Sequence, residues 1–401
     1  MKSGLIPSAP FCIYGAGIVA TSIYTAIKTL YNRTPLFFLI SDVPEGKRDE
    51  EPRQIDGIAV KRLSEWKSEL QAYGKPDGSA ISSALPEYYL ILAPEIHHPS
   101  IVESLHSLNI EDSHICLFTN ELENKFMEDY YSSLNGCKTV ISVAGTDVSS
   151  EAGDDEIKQT SNMKSSNLQL PNIQVFQAKC HVDRLIKNVK ENPSYVYPIQ
   201  VGADLTDKII TELRDNESDN ISTKNRNYCE LTATYYAWKN SSAEYKGLCH
   251  YRRTFDISNE QMQALLDRQS EWDVILPYPS IHYPNISTQH LRYIKDADWY
   301  AMLTALKETA PGYLETYNNL VSSGEKYFYN YNMLIARAEV FDDYCSFLFK
   351  VLERAEELTK PKGADRADRF AGYMGENLTT LYFLKNRDKL KILYSGKLWL
   401  T

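Results

Sequence analysis

The 401-residue chain lacks the features typical of disulfide-rich, membrane-spanning and nucleic-acid-binding proteins. Its seven cysteines are scattered and none forms a C-x-x-C pair, so neither a disulfide framework nor a zinc site is predicted. No apolar run approaches the roughly 18 residues needed to cross a bilayer. The formal net charge of −10 argues against a general nucleic-acid binder, which needs a basic face.

The start of the chain lacks the charged segment, apolar core and cleavage site of a signal peptide. We therefore expect a cytoplasmic protein with reduced thiols. The basic stretch KNRDKLKILYSGKLWL (385–400) also carries Tyr394 and Trp399. These residues leave peripheral contact with the inner face of the cell membrane open. The alternative is a solvated C-terminal helix followed by a packed last strand.

Residues 1–145 alternate short apolar runs with helical stretches. FCIYG (11–15) and YYLILA (88–93) predict buried strands, and the amphipathic stretches between such runs predict helices. Strand–helix alternation implies a parallel sheet with right-handed crossovers. We therefore predict an α/β fold that begins with a Rossmann-like accessory domain.

The composition changes between residues 146 and 171, which are rich in Ser, Asp and Asn and predict a polar linker. Residues 172–401 again alternate strands and helices and predict a second α/β domain with polar residues at its strand ends. YFYNYNMLIA (327–336) is predicted to be one strand, which would place Asn330 and Asn332 on the same face.

The stretch GAGIVA (15–20) follows the first predicted strand and opens a helix. Gly15 and Gly17 would form a tight turn at a helix N-terminus, and Asp42 ends the next strand near a ribose position. A nucleotide site in this domain stays open beside a purely structural use of the glycines, because one such fingerprint is a weak signal.

The stretch YKGLCHYRRTF (245–255) places His250, Tyr251, Arg252 and Arg253 at the end of an apolar strand. Neighbouring side chains of a strand point to alternate faces, so these four do not all enter one core. Two adjacent guanidiniums need anions if they are buried, and their forks suit phosphate oxygens. Salt bridges to protein carboxylates and a diphosphate site both stay open.

Five motifs in order carry a resemblance over about residues 172–400: YPIQVGADL, DNISTKNRNYCELTATYYAWKN, YKGLCHYRRTF, DVILPYP and YNMLIARAEVFDDYCSFLF. Together they resemble a bacterial capsule and exopolysaccharide glycosyltransferase family with an HYRR signature, long catalogued as a domain of unknown function. The resemblance implies a GT-A-like fold and a UDP-sugar donor. It also implies transfer of a hexose, such as galactose or galactofuranose, to a capsule, exopolysaccharide or O-antigen glycan, free or lipid-linked.

In GT-A-like enzymes an Asp-x-Asp motif commonly holds a divalent metal on the diphosphate, whereas here HYRR occupies that slot. We therefore expect Arg252, Arg253 and His250 to neutralise the diphosphate with no metal or other cofactor. The sequence DAD (296–298) precedes a helical pattern, so helix capping is expected there.

Further residues are expected to contact the donor because they match the family motifs or follow predicted strands. They are Lys179, His181, Gln200, Gly202, Asn220, Lys224, Asn225, Glu230, Tyr251 and Asn332. For Glu230 a surface ion pair with Arg226, one helical turn away, is an equally open interpretation.

Inverting transfer needs a carboxylate that accepts the proton of the acceptor hydroxyl. Glu376, in AGYMGENLTTLYF, is the expected base, with Asp256 and Asp273 in reserve. Simple compensation of a helix dipole is the alternative, because Glu376 is predicted near a helix start.

Two other functions stay open on the sequence. One is a non-catalytic nucleotide- or carbohydrate-sensing protein that has kept the fold. The other is an NAD-dependent sugar-modifying activity of the N-terminal domain, although no Tyr-x-x-x-Lys dyad accompanies its glycines.

Overall fold

The computed structural model describes residues 6–43, 52–73, 85–145, 172–186, 191–359 and 368–400. The chain divides into two compact units: residues 1–133 with 280–288, and residues 134–279 with 289–401. The predicted polar linker 146–171 lies outside the described residues. Among the helices that are described, none combines the length and apolar character required to cross a bilayer.

The first unit alternates strands and helices as the apolar runs predict. Its elements are β1 (Phe11–Tyr14), α1 (Ile18–Tyr31), β2 (Phe38–Ile40), β3 (Gln54–Ile55), β4 (Ile58–Arg62), α2 (Leu63–Tyr73), β5 (Tyr88–Ile91), α3 (His98–His106), β6 (Ile115–Leu117) and α4 (Asn120–Ser133). In the described residues these strands form one sheet in the order β3-β4-β2-β1-β5-β6. All neighbours are parallel except β3 and β4, which confirms a Rossmann-like α/β unit.

The second unit contains longer helices and a larger sheet. In chain order the elements are β7 (Lys138–Thr139), α5 (Val140–Ala144), β8 (Ile173–Lys179), β9 (Val196–Gln200), β10 (Leu213–Arg214), α6 (Asn225–Tyr228), α7 (Leu231–Asn240), β11 (Tyr245–His250), β12 (Arg253–Phe255), α8 (Asn259–Asp267), β13 (Val274–Pro277), β14 (Ser280–Ile281, in the segment grouped with the first unit), α9 (Thr288–Tyr293), α10 (Asp296–Thr309), α11 (Pro311–Ser322), β15 (Tyr327–Phe328), β16 (Leu334–Arg337), α12 (Ala338–Leu358), α13 (Phe370–Asn386), β17 (Ile392–Ser395) and β18 (Lys397–Trp399).

The strands of this unit form a mixed sheet, in the order β10-β9-β8-β11-β16-β13-β17-β7 over its described part, with β12 and β18 attached beside β11. Along that path β16 runs antiparallel to β11 and β13, and the other neighbours are parallel. Most residues of the central strands β8, β11, β16 and β13 are buried on both faces, as is typical of parallel strands between layers of helices. The α/β class predicted from the sequence is confirmed.

Residues 134–145 lie with the second unit, although the sequence analysis placed its boundary after residue 145. The reason is pairing: β7 is parallel to β17, with Leu393 opposite Lys138. The buried side chains of Val140 and Val143 join the core of the second sheet. A two-residue strand and a five-residue helix are too short to produce a periodic signal in the sequence.

Asp215, directly after β10, is fully buried and organises the loops beside that strand. Its carboxylate accepts hydrogen bonds from the backbone N–H groups of Gly202 at 2.8 Å and Ala203 at 3.1 Å. The hydroxyls of Ser222 at 2.5 Å and Thr232 at 2.6 Å donate to the same carboxylate. One side chain therefore ties the end of β9 to the segments that lead into α6 and α7.

Replacing Asp215 by alanine should lower the free energy of unfolding by roughly 3 kcal/mol, because four buried donors lose their acceptor. Urea unfolding followed by tryptophan fluorescence measures this, since Trp238, Trp272, Trp299 and Trp399 all belong to the second unit. Asp267→Ala is the control, because Asp267 is exposed and accepts from Gln263 alone among the described side-chain contacts. An equal loss in both variants would contradict the organising role.

Candidate functional site

The C-terminal ends of three neighbouring parallel strands, β9, β8 and β11, meet at one edge of the second sheet. Lys179 pairs with Gln200 there, and His250 pairs with Ala178. Antiparallel β16 starts at the same edge, because Leu334 lies opposite Leu248. Ligands of open α/β sheets bind outside such carboxyl ends, so the residues that follow these strands form the candidate site.

The HYRR motif is a hairpin and not the end of a single strand. β11 ends at His250, Tyr251 and Arg252 form the turn, and Arg253 begins β12. His250 and Arg253 are antiparallel partners across the ladder. Directly opposite residues of an antiparallel pair present their side chains on the same face, so the expected alternation of faces is wrong for this pair.

The guanidinium of Arg253 lies against two aromatic rings that meet edge to face. Its Cζ is 4.1 Å from the ring centroid of Tyr331 and 4.3 Å from that of Trp399. Trp399 reaches this position because β18 pairs with β12, with Arg253 opposite Trp399. Cation–π contacts hold the plane of the guanidinium without using its N–H donors.

Neither arginine of the motif forms an ion pair within the described residues, and the Nε atoms of both are buried there without a hydrogen-bond partner. Arg252 lies over the ring of Tyr251, with 5.1 Å from Cζ to the centroid. Buried donors are nearly always satisfied in folded proteins, so two unused guanidinium groups call for an external acceptor. Of the two interpretations left open by the sequence, the salt-bridge one is not supported by this geometry.

Glu230 is a buried carboxylate beside this hairpin, and not the surface partner of Arg226 that its spacing allowed. The amide Nδ2 of Asn332 donates to Oε1 of Glu230 at 2.7 Å, and Nε2 of His250 lies 3.6 Å from that oxygen. Burial by itself would raise the pKa of Glu230, but the charge of His250 and the hydrogen bonds outweigh it and lower the pKa to about 2. Glu230 is therefore ionised at neutral pH.

The predicted strand 327–336 is wrong in its middle. β15 and β16 flank a turn, in which Tyr331 and Asn332 have φ angles of 74° and 51°. This left-handed backbone is unusual outside glycine and indicates a position stabilised by surrounding contacts. Asn330 and Asn332 therefore do not share a strand face, and Asn332 points to Glu230 and to the carbonyl oxygen of Gly372.

Glu376 lies in the second turn of α13, because that helix begins at Phe370, so dipole compensation in a first turn does not explain it. Its Oε1 accepts from the backbone N–H of Tyr331 at 2.8 Å, and its Oε2 accepts from Nε2 of Gln289 at 2.9 Å. Burial and, to a smaller extent, repulsion from Glu230 raise the pKa of Glu376 to about 8. The hydrogen bond from the N–H of Tyr331 and the charges of Arg253 and Arg369 act in the opposite direction but do not outweigh burial.

Several residues expected to bind the donor already have partners inside the protein. Both ends of the Gln200 amide bond the backbone, at Lys208 and Ile210. Nζ of Lys224 forms an ion pair with Glu356 at 2.7 Å. These contacts give Gln200 and Lys224 structural roles, and their contact with a donor stays a prediction.

Asn220 and Asn225 of the DNISTKNRN segment also bond the backbone locally. Nδ2 of Asn225 donates to the carbonyl oxygen of Cys229 at 2.7 Å. Asn220 accepts from the N–H of Ser222 and donates to the carbonyl oxygen of Ser218. Their predicted contact with the donor, like that of Tyr251, is neither supported nor excluded by these bonds.

The other expected donor contacts cluster around the ends of β8 and β9. Lys179 is the last residue of β8, and His181 follows with Nδ1 3.8 Å from Sγ of Cys180. Gly202 has φ of 65°, and a Cβ at that position would lie 2.8 Å from Oδ1 of Asn225. Only glycine therefore suits this turn.

Sequence reasoning missed Asp183 and Arg369. The carboxylate of Asp183 accepts from the N–H of Cys180 at 2.6 Å. Burial raises the pKa of Asp183, while His250, Arg252 and Arg369 act on it in the opposite direction. These side chains come together from distant parts of the chain, and the sequence holds no local signal of that. The polar residues directly after β8 were the available hint for Asp183.

Comparison with known proteins assigns this second unit to a family. A family model described as a domain of unknown function, DUF4422, matches residues 180–387, more than half of the chain. The chain belongs to the DUF4422 family. No curated protein matches it.

Among solved structures, the apo structure of WbbM, described as a bifunctional glycosyltransferase, is similar to part of the chain. The identity is 22% and the TM-score is 0.49, over 57% of this chain and 45% of the WbbM chain. The present chain therefore spans less than half the length of that protein.

Gly15, Gly17 and Asp42 lie outside the DUF4422 match. Gly15 has φ of 133°, and a Cβ there would overlap the carbonyl oxygen of Leu92, so close packing alone requires a glycine. Gly17 precedes α1 with open space around it. The carboxylate of Asp42 accepts from the N–H and hydroxyl of Ser64, at the start of α2. A nucleotide at these residues stays a prediction.

The DAD sequence opens α10 of the DUF4422 domain, where Asp296 and Asp298 lie in the first helical turn. Acidic residues there favour the helix dipole. The expected capping is wrong, because the N-cap residue is Lys295 and its side chain makes no capping hydrogen bond. In the described ranges no group of three or more His, Cys, Asp or Glu side chains is arranged to hold a metal ion.

Glu376→Gln should change stability in a pH-dependent way. A carboxyl with pKa near 4.5 when unfolded and about 8 when folded binds more protons in the native state, so its stabilising effect is lost as pH rises from 4.5 to 8. Glutamine does not titrate, so the variant does not lose stability at this position as the pH rises. The melting temperature of the variant relative to the wild type should therefore increase between pH 5 and pH 8.

Differential scanning fluorimetry across that range measures the effect. Glu339→Gln, at an exposed position in the first turn of α12, is the control and should show no such trend. A pH-independent difference for Glu376→Gln would mean that the carboxyl titrates normally.

Proposed function

We propose that this DUF4422 protein is a glycosyltransferase that moves a hexose from a UDP-sugar to a glycan acceptor. The observation that carries the proposal is the pair of guanidiniums, Arg252 and Arg253, with no carboxylate partner among the described residues. They follow the carboxyl end of β11, beside the parallel strands β8 and β9, and nucleotides bind outside such ends in open α/β folds. The family resemblance carried by the HYRR motif points to the same reaction class.

The departing group of such a reaction is a diphosphate, whose developing charge needs stabilisation. Arginine forks bind phosphate oxygens bidentately, and the rings of Tyr331 and Trp399 against Arg253 orient its fork before any ligand arrives. In a chain with a net charge of −10, a local cationic group of this kind selects a compact anion rather than a polyanion. His250 adds a third donor on the same face as Arg253. We propose that these residues act without a metal ion.

Glu376 is the proposed base. Attack of an acceptor hydroxyl on the anomeric carbon forms the new C–O bond, and the bond from that carbon to the diphosphate oxygen breaks with its electron pair. The proton of the hydroxyl passes to Glu376. A pKa of about 8 makes the carboxylate a stronger proton acceptor than an ordinary glutamate at the pH of the reaction. Glu230, ionised throughout, is suited to hold its neighbours and not to exchange protons.

The proposed donor is a UDP-sugar with galactose or galactofuranose as the transferred hexose, and the proposed acceptor is a capsule, exopolysaccharide or O-antigen glycan. These details follow the family resemblance. Conversion of UDP-sugar to UDP in the presence of acceptor glycans separates this function from a sensing role, which predicts binding without turnover.

Arg253→Ala should weaken UDP binding by about tenfold or more, because a charge-assisted hydrogen bond contributes roughly 1.5–3 kcal/mol. Isothermal titration of UDP with and without EDTA measures this, and the wild-type affinity should not depend on EDTA. Arg268→Ala is the control, since Arg268 is paired with Glu271 on an exposed helix end. Strict dependence on a metal ion would contradict the proposed role of the arginines.

Glu376→Gln should abolish turnover and leave UDP affinity intact. Wild-type turnover should rise by about tenfold per pH unit below pH 8 and level off above it, because the ionised carboxylate is the active form. A UDP-release assay from pH 6 to pH 9 measures both. Turnover of the variant at the wild-type rate would exclude Glu376 as the base.

A further inference from the structure

Two tyrosines form a stacked pair next to Glu376. The ring centroids of Tyr293, the last residue of α9, and Tyr373, on α13, are 4.9 Å apart with 16° between the planes. Tyr293 is 46% exposed and Tyr373 is partly buried. A half-exposed tyrosine backed by a second ring presents a partly apolar surface to solvent.

The pair is connected to Glu376 through two side-chain hydrogen bonds. Gln289, on α9, donates to Oε2 of Glu376 at 2.9 Å and accepts from Nδ2 of Asn377 at 2.8 Å. These bonds hold α9 against α13. Tyr373 and Glu376 are three residues apart on α13, so they lie on the same face of that helix.

Glu376 lies between this pair and the cationic hairpin. Its other oxygen accepts from the N–H of Tyr331, and the ring of Tyr331 stacks on Arg253. The electrostatic environment of Tyr373 gives the same placement: burial raises its pKa, and both Arg369 and Glu376 are close enough to act on it. The carboxylate of Glu376 is therefore close both to the cationic hairpin and to the tyrosine pair.

Other stacked pairs of the second unit differ in exposure. In the pair formed by Trp238 and Phe349, for example, Phe349 is only 2% exposed and belongs to the core. Tyr293 is instead 46% exposed, although its ring is stacked on Tyr373. A half-exposed aromatic pair beside a carboxylate with a raised pKa is typical of functional sites.

We propose that Tyr293 and Tyr373 form the binding platform for a sugar ring of the acceptor glycan. The C–H face of a neutral hexose suits an aromatic ring, and the hydroxyls at the rim of the sugar stay available to the solvent and to Glu376. This inference rests on the proposed function, because it names the acceptor side of the same site. The platform would hold the acceptor sugar so that one of its hydroxyls lies next to Glu376.

Saturation-transfer NMR with methyl β-D-galactopyranoside and methyl β-D-glucopyranoside, in the presence of UDP, tests the platform. We expect the wild type to bind at least one of these sugars, and Tyr293→Ala to weaken that binding by about tenfold through loss of the stacking surface. Tyr293→Phe keeps the ring and should bind like the wild type. Tyr300→Ala, at a 66% exposed tyrosine of α10, is the matched control.

Thermal melting confirms that the variants are folded, and UDP titration of each variant separates the two proposals. Sugar binding lost in Tyr293→Ala with UDP affinity unchanged supports the platform. Absence of sugar binding by the wild type, or equal binding by Tyr293→Ala, overturns the platform and leaves the proposed function standing. Absence of UDP binding by the wild type overturns the proposed function itself, whatever the tyrosine variants do.

Discussion

The contact of the Arg253 guanidinium with the rings of Tyr331 and Trp399 joins three separate parts of the chain at one sheet edge. Arg253 comes from the hairpin after β11, Tyr331 from the turn before β16, and Trp399 from the last strand. Cation–π contacts orient the guanidinium while its hydrogen-bond donors remain unused by the described residues. An ion pair with a protein carboxylate would have held the same side chain but consumed those donors. The arrangement keeps a cation both fixed and available.

Two glutamates near this cation have opposite properties because their surroundings differ. Glu230 lies against His250 and Asn332 and stays ionised far below neutral pH, whereas Glu376 has a raised pKa because burial and the nearby charge of Glu230 disfavour its ionised form. Divergent pKa values of neighbouring carboxyls are typical of sites in which one group holds charge and the other exchanges a proton. The left-handed turn at Tyr331 and Asn332 contacts both glutamates and so couples their positions.

Polar residues follow parallel strands in both units, but their internal contacts differ. In the first, Gly15 is required by the carbonyl oxygen of Leu92, and Asp42 is engaged by Ser64, so its fingerprint residues have packing and capping roles. In the second, the residues after the parallel strands include charged side chains with few internal partners. A glycine turn by itself therefore says less about ligand binding than unused donors do.

The sequence by itself determined the class of fold, because apolar runs of strand and helix length alternate regularly enough to predict β1 and β5 close to their observed bounds. It also singled out Arg252, Arg253 and Glu376, since adjacent arginines and an acidic residue in a matching motif are visible in one dimension. The burial of Glu230, the turn inside 327–336 and the pairing of Tyr293 with Tyr373 were decided only by the tertiary structure. Each depends on contacts between residues far apart in the chain, such as Glu230 with Asn332 and Glu376 with Gln289, and local periodicity holds no information about such contacts.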